Sequence, residues 1–239
     1  MANRKNMSIV VAVGLLILSG SVTAVGAETI AVIGTGEVGS ALGPEFAALG
    51  HKIVYGSREP ERETVRNLVA RTGEGASAAL PDAAAAAADI VVLAVPGLLV
   101  EEVTRSLGDL AGKIIIDPTN ALQRGDDGQL EMGVDTSNAE IIQAAAPEAH
   151  VVKAFNTLNW RQMVDPDTSG GAISIPLVGN SAMAKAKVAV LVEALDLEPI
   201  DLGPVKNARY VEGMLILWIN NRAGRQPFDY HLRKVGPRP

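Results

Sequence analysis

The chain has 239 residues, of which 48% are hydrophobic and 20% charged, a balance that can bury a core and excludes a disordered chain. Its net charge of −6 argues against nucleic acid as a partner, because phosphate binding needs a basic field. It holds no cysteine and three widely spaced histidines, His51, His150 and His231, so disulfides, thiol nucleophiles and a metal site are not expected.

At the N-terminus, Arg4 and Lys5 precede an apolar run from Ile9 to Leu18, and small residues follow as far as Ala27. A basic head, a short apolar core and small residues at Val25 and Ala27 predict an export signal over 1–27, cut after Ala27. The chain is then expected outside the cytoplasm, periplasmic or secreted. Left uncleaved, the same run would make a membrane anchor, for which it is short.

From Glu28 onward, short Val- and Ile-rich runs alternate with helical stretches. Strands are expected at 29–34, 52–56, 89–95, 113–117 and 150–155, with helices over 38–49, 61–71, 82–88, 98–107 and 139–145. Continuous apolar runs of this kind suit strands covered on both faces of a parallel sheet, and the β-α-β-α order implies a doubly wound α/β fold. Residues 161–174 read as a polar connection. A smaller unit follows, with strands at 174–179 and 198–203 and helices over 182–194 and about 207–221. The expected organisation is a main domain over 28–158 and a small C-terminal α/β unit over 159–239, ending in a polar tail that frays.

Gly34-Thr35-Gly36-Glu37-Val38-Gly39 is a G-x-G-x-x-G run with a strand before it and a helix after it. In that setting it is the dinucleotide fingerprint of the Rossmann fold. Gly34 permits the tight turn, Gly36 lets the backbone approach a pyrophosphate, and Gly39 lets helix and strand pack closely. The end of the second strand selects the cofactor. An NAD site places an acid there; this chain offers Ser57 and Arg58, with Arg62 a helical turn on. A hydroxyl and two guanidinium groups suit a 2′-phosphate, so NADP(H) is expected, with Glu59 and Glu61 facing away.

Three further strand ends converge on the same sheet edge. "AVPG" brings Ala94, Val95 and Pro96, "DPTN" brings Asn120, and "KAFNT" brings Ala154, Asn156 and Thr157. Their amides can hydrogen-bond a carboxamide or a substrate carbonyl. Lys153, the only basic side chain among them, is open to two readings, a polar contact or a stem packed along the sheet edge.

The runs "IAVIGTGEVGSALGPEFAALGHKIVYGSRE", "ADIVVLAVP", "IIIDPTN", "VVKAFNT" and "VGNSAMAKAKVAVLVEALDLEPIDLGPVKNARYVEGM" resemble the NADPH-dependent reductases of the deazaflavin coenzyme F420. The resemblance covers nearly everything from Thr29 to about Asn221. It implies that Thr35, Gly36, Glu37 and Val38 line the pyrophosphate while Ser57, Arg58 and Arg62 take the 2′-phosphate. It also implies a second substrate over the nicotinamide, near Asn156 and the C-terminal unit, with coenzyme F420 or a flavin as the small-molecule hydride acceptor. The same module forms the reductase half of six-transmembrane metalloreductases.

Direct hydride passage between stacked rings needs positioning rather than a protein nucleophile, so no catalytic residue is assigned. The alternative is a non-catalytic NADP(H)-binding module. Trp160, Met163 and Trp218 are the apolar side chains expected above the nicotinamide. The helix over 207–221 carries enough apolar surface to make a homodimer the expected assembly.

Overall fold

The computed structural model describes residues 26–222 and 227–235. Residues 1–25 of the expected export signal lie outside the described residues. Among the described residues, no helix is long and apolar enough to cross a membrane.

The first half is a run of βα units: β1 (Thr29–Ile33), α1 (Glu37–Ala48), β2 (Lys52–Gly56), α2 (Glu63–Thr72), β3 (Ser77–Ala79), α3 (Pro81–Ala86), β4 (Ile90–Leu93), α4 (Val100–Ser106) and β5 (Ile114–Asp117). A hairpin of β6 (Leu122–Arg124) and β7 (Leu130–Met132) comes next, then α5 (Asn138–Ala145), β8 (His150–Lys153) and α6 (Trp160–Val164). The chain closes with β9 (Ser174–Gly179), α7 (Ala182–Glu193), β10 (Glu198–Asp201) and α8 (Ala208–Arg222).

Strand order in the large sheet is β10-β9-β8-β5-β4-β1-β2-β3. From β3 to β8 every pairing is parallel, which is the six-strand dinucleotide-binding order with its switch point between β1 and β4. The fold is the expected doubly wound α/β sheet. The 159–239 region adds β9 and β10 to the edge of that same sheet: β9 pairs antiparallel with β8, and β10 runs parallel to β9. Two apolar layers sandwich it. Ile30, Val32, Ile90 and Val92 face one layer with Leu42 and Phe46 of α1. Ala31, Ile33, Val91 and Leu93 face the other with Ala84, Val100 and Ile142. Alternate residues of each strand therefore point to opposite cores, as the pleat requires.

Helix α1 contains Pro44, which cannot donate to the Ser40 carbonyl one turn earlier. Arg71 of α2 supplies the missing donor, its Nη2 reaching the Ser40 carbonyl at 2.9 Å. Strand β3, the β6–β7 hairpin and α6 were not predicted. The first three have three residues each, too few for any periodicity to register. Helix α6 depends on a local cap: Asn159 accepts from Arg161 N–H and the Gln162 side chain reaches back to Asn159 N–H.

The tail is held at 229–232. Ser174 N–H donates to the Tyr230 carbonyl, Leu232 N–H donates to Ser174 Oγ, and Tyr230 Oη donates to the Met214 carbonyl of α8. The outer side of α8, where a dimer is expected, exposes Tyr210 and Leu217.

Candidate functional site

Gly34 leaves β1 with φ +104°, and a Cβ there would stand 2.2 Å from the Ala94 carbonyl oxygen. Only glycine lets the loop cross the end of β4 so closely. At Gly39 a Cβ would stand 2.1 Å from the Gly34 carbonyl oxygen, so the first turn of α1 rests directly on the loop. Gly36 differs: it is exposed, and a Cβ there would meet nothing within 4 Å. Its free face looks onto the N-terminus of a 12-residue helix, whose first-turn N–H groups lack intrahelical partners.

A cavity of about 450 Å³ opens at this point, lined by Gly34, Thr35 and Gly36, by Ser57, Arg58 and Arg62, and by Ala94, Val95 and Pro96. Nine of the predicted site residues thus come together. Arg58 and Arg62 are exposed, and neither guanidinium has an ion pair or hydrogen bond among the described residues. Ser57 is buried, its Oγ accepting from Glu59 N–H at 3.2 Å.

Glu59 is among the residues that line the cavity, its N–H held by Ser57 Oγ. The partly buried Val38 side chain packs against the core, and Ala154 is fully buried. The side of the cavity formed by Leu99, Glu102, Val103 and Ser106 was missed. Three- and four-residue spacing places these on one face of the turn and helix after "AVPG", and that spacing was the available signal. Glu37 is exposed at the start of α1.

Asn120 and Asn156 lie outside this cavity and form a pair at the ends of β5 and β8. Asn156 Nδ2 donates to Asn120 Oδ1 at 2.9 Å and to the Val211 carbonyl at 3.2 Å, while Asn120 Nδ2 donates to the Asn156 carbonyl. Asn156 Oδ1 and Thr157 Oγ1 are buried without a partner. Phe155, just before this pair, has φ +63°, a conformation that costs a bulky residue energy and occurs mostly at functional sites. Its ring is fully buried, edge-on to Phe46.

Lys153 makes polar contacts, but with buried groups of the protein itself. It is fully buried, with Nζ 2.6 Å from Asp117 Oδ2, 2.8 Å from Glu212 Oε1 and 2.6 Å from the Thr119 carbonyl. Burial pushes the Glu212 carboxyl up from its ordinary value; the Lys153 charge pulls it down and the Asp117 charge pushes it up again. Asp117 and Glu212 were not singled out. Their signal was a charge inside an otherwise apolar strand and helix.

Beyond Asn159, a second groove of about 500 Å³ runs between α6, α8 and the docked tail. Trp218 and Phe228 form its apolar part, and Arg161 and Arg222 its cationic part. Each guanidinium sits about 5 Å above a tryptophan ring, Arg161 on Trp160 and Arg222 on Trp218. Asp229 accepts from Trp218 Nε1, Gln162 Nε2 and Ser169 Oγ. Of the three expected roof residues, only Trp218 lines this groove; Met163 is in the core and Trp160 packs against it.

The family model described as NADP oxidoreductase, coenzyme F420-dependent, matches residues 29–121. The F420-dependent NADP reductase of Methanothermobacter thermautotrophicus is 30% identical over 80% of this chain and 88% of its own. A candidate F420-dependent NADP reductase from Arthrobacter sp. FB24 superposes with a TM-score of 0.79 at 34% identity, covering 87% of this chain and 100% of that one. Metalloreductase STEAP3 of Rattus norvegicus is 26% identical over 79% of this chain, which spans only 36% of that longer protein. Identity of 30% over 88% of the Methanothermobacter reductase, with the superposition on the Arthrobacter structure, places this chain in the F420-dependent NADP reductase family.

Proposed function

We propose that the protein is an NADP(H)-dependent oxidoreductase passing a hydride between NADPH and a flat, conjugated acceptor, coenzyme F420 or a flavin. The observation that carries this reading is the pair of guanidinium groups, Arg58 and Arg62, without a partner among the described residues, in one cavity with an open glycine seat at a helix N-terminus. The cavity fits the cofactor: Gly36 leaves room for a pyrophosphate and the arginines suit the 2′-phosphate, while outside it the buried Asn156 Oδ1 is left without a partner.

Bound NADPH would supply the hydride. The chain's own residues bind and orient. The α1 N-terminus and Gly36 hold the diphosphate, Arg58 and Arg62 the ribose phosphate, and Asn120 with Asn156 the carboxamide end. The groove of Trp218, Phe228, Arg161 and Arg222 begins three residues past Asn156 and suits an aromatic acceptor with an anionic arm. With no protein nucleophile required, rate comes from alignment.

Stopped-flow mixing of NADPH-loaded protein with F420, flavins and quinones tests this. One of them should oxidise the bound cofactor. Trp218→Ala should lower kcat/KM for that acceptor by about tenfold, the scale of one lost ring contact, with NADPH affinity unchanged. If none of them oxidises demonstrably bound NADPH, the protein is an NADP(H)-binding module instead.

Export with cleavage after Ala27 is the second proposal. Gly26 and Ala27 are exposed, while Glu28 is tied down, its N–H donating to His51 Nδ1 at 3.2 Å and its carboxylate pairing with Lys187. Thr29 N–H then donates to Asp89 Oδ2. A chain starting at Glu28 keeps all of these contacts. N-terminal sequencing of cell-derived protein should read Glu-Thr-Ile; a chain beginning at Met1 would refute cleavage. With free NADPH scarce outside the cytoplasm, such a protein would be loaded before export or would work on a tightly held cofactor.

A further inference from the structure

Lys153, Asp117 and Glu212 make a fully buried ion cluster that hydride transfer does not use directly. Lys153 Nζ donates to the Thr119 carbonyl and lies at ion-pair distance from both Asp117 and Glu212. Glu212, on α8, also accepts from Ala121 N–H through Oε2 and from Asn138 N–H through Oε1. Asp117 Oδ1 accepts from both the backbone and hydroxyl of Thr119, and Asn138 Nδ2 donates to Thr119 Oγ1. The two residues flanking Asn120 are therefore each tied to the cluster, Thr119 by its carbonyl and Ala121 by its amide.

This arrangement is expensive unless complete, since a buried charge without its partner costs several kcal/mol. It fixes one short loop, and that loop carries Asn120. Asn120 in turn aligns Asn156, which reaches back to the Val211 carbonyl on α8. The Asn120 carbonyl also lies against Gly97, where a Cβ would come within 1.9 Å of it. A displaced loop would press on the 94–97 turn at the mouth of the cofactor cavity.

We propose that Lys153 is a positioning residue for the nicotinamide half of the cofactor. Through Asp117 and Glu212 it locks the 117–121 loop and α8 together, so that the Asn120–Asn156 pair is presented in one geometry. This rests on the reading of the cavity as an NADP(H) site. The adenosine half, held by Ser57, Arg58 and Arg62 in the turn between β2 and α2, shares no contact with the cluster among the described residues and is independent of it.

That independence supplies the test. Adenosine 2′,5′-bisphosphate probes the adenosine half alone, whereas NADPH probes both halves, and its nicotinamide fluorescence reports binding without turnover. In the full chain, Lys153→Met should weaken NADPH at least ~10-fold while the bisphosphate changes less than ~2-fold, the outcome for a contact confined to one half. Glu212→Gln is neutral and the same size, so it remains testable if Lys153→Met fails to fold; it should show the same split, with circular dichroism confirming the fold. Parallel weakening of both ligands would mean that the cluster only holds the fold together and would overturn the proposal. So would unchanged NADPH affinity. If the unmutated chain binds neither ligand, the cofactor reading itself fails, an outcome distinct from both.

Discussion

Gly36→Ala is expected to abolish most NADPH binding, raising Kd at least ~100-fold or about 2.8 kcal/mol, while leaving the fold nearly as stable as before. The backbone at Gly36 has φ −76° and ψ −164°, a region open to any residue. The added methyl would meet no protein atom within 4 Å. Stability should fall only by the cost of alanine at a helix N-cap, about 1 kcal/mol or less. The methyl would instead occupy the space that a pyrophosphate needs against the α1 N-terminus. Gly34→Ala provides the contrast. There the methyl would stand 2.2 Å from the Ala94 carbonyl oxygen in a left-handed backbone, so the protein itself should lose several kcal/mol of stability. Thermal melts with fluorescence titration separate the two effects. A Gly36→Ala protein that binds NADPH like the unmutated chain would remove the diphosphate from this loop.

NADPH should bind at least ~10-fold more tightly than NADH, a difference of about 1.4 kcal/mol. The two ligands differ only in the 2′-phosphate, and Arg58 and Arg62 are cations in the same cavity, unpaired among the described residues. Glu59 and Glu102 also line that cavity, so the arginines work against nearby negative charge. Arg58→Ala should therefore remove most of the preference, and Arg58→Ala with Arg62→Ala all of it, with NADH affinity nearly constant. Because both arginines are exposed, the preference should shrink as salt rises from about 0.05 to 0.5 M, while NADH binding stays flat. Isothermal titration with the two cofactors at two ionic strengths reads all of this. Equal affinities in the unmutated protein would defeat the 2′-phosphate assignment.

The glycine loop and the basic end of β2 were both legible in the sequence because each is local. A turn, a strand end and the helix that follows are set by residues within a few positions of one another. Propensity, periodicity and the absence of a Cβ act over that range. For the same reason β1, β2, β4, β5 and β8 were found close to their observed bounds: continuous Val and Ile runs can be buried only between two helical layers.

What remained hidden depends on residues far apart in the chain. The pairing of β9 with β8 is antiparallel, and nothing within 174–179 announces direction or neighbour. Lys153 shows this most sharply. Its sequence neighbourhood offers a lone cation in an apolar strand, while its actual partners sit 36 residues before it and 59 after it, at Asp117 and Glu212. Likewise, Trp160 and Met163 were equal to Trp218 as roof residues by chemistry alone. Only the packing of α6 against the core sends the first two inward and leaves Trp218 facing the groove. By itself, then, the sequence determined a dinucleotide-type α/β chain with a 2′-phosphate-ready strand end, because those features follow from local sterics and local charge. Tertiary structure decided which buried charges neutralise one another and which apolar side chains face a ligand, because desolvation and packing are settled only when distant segments meet.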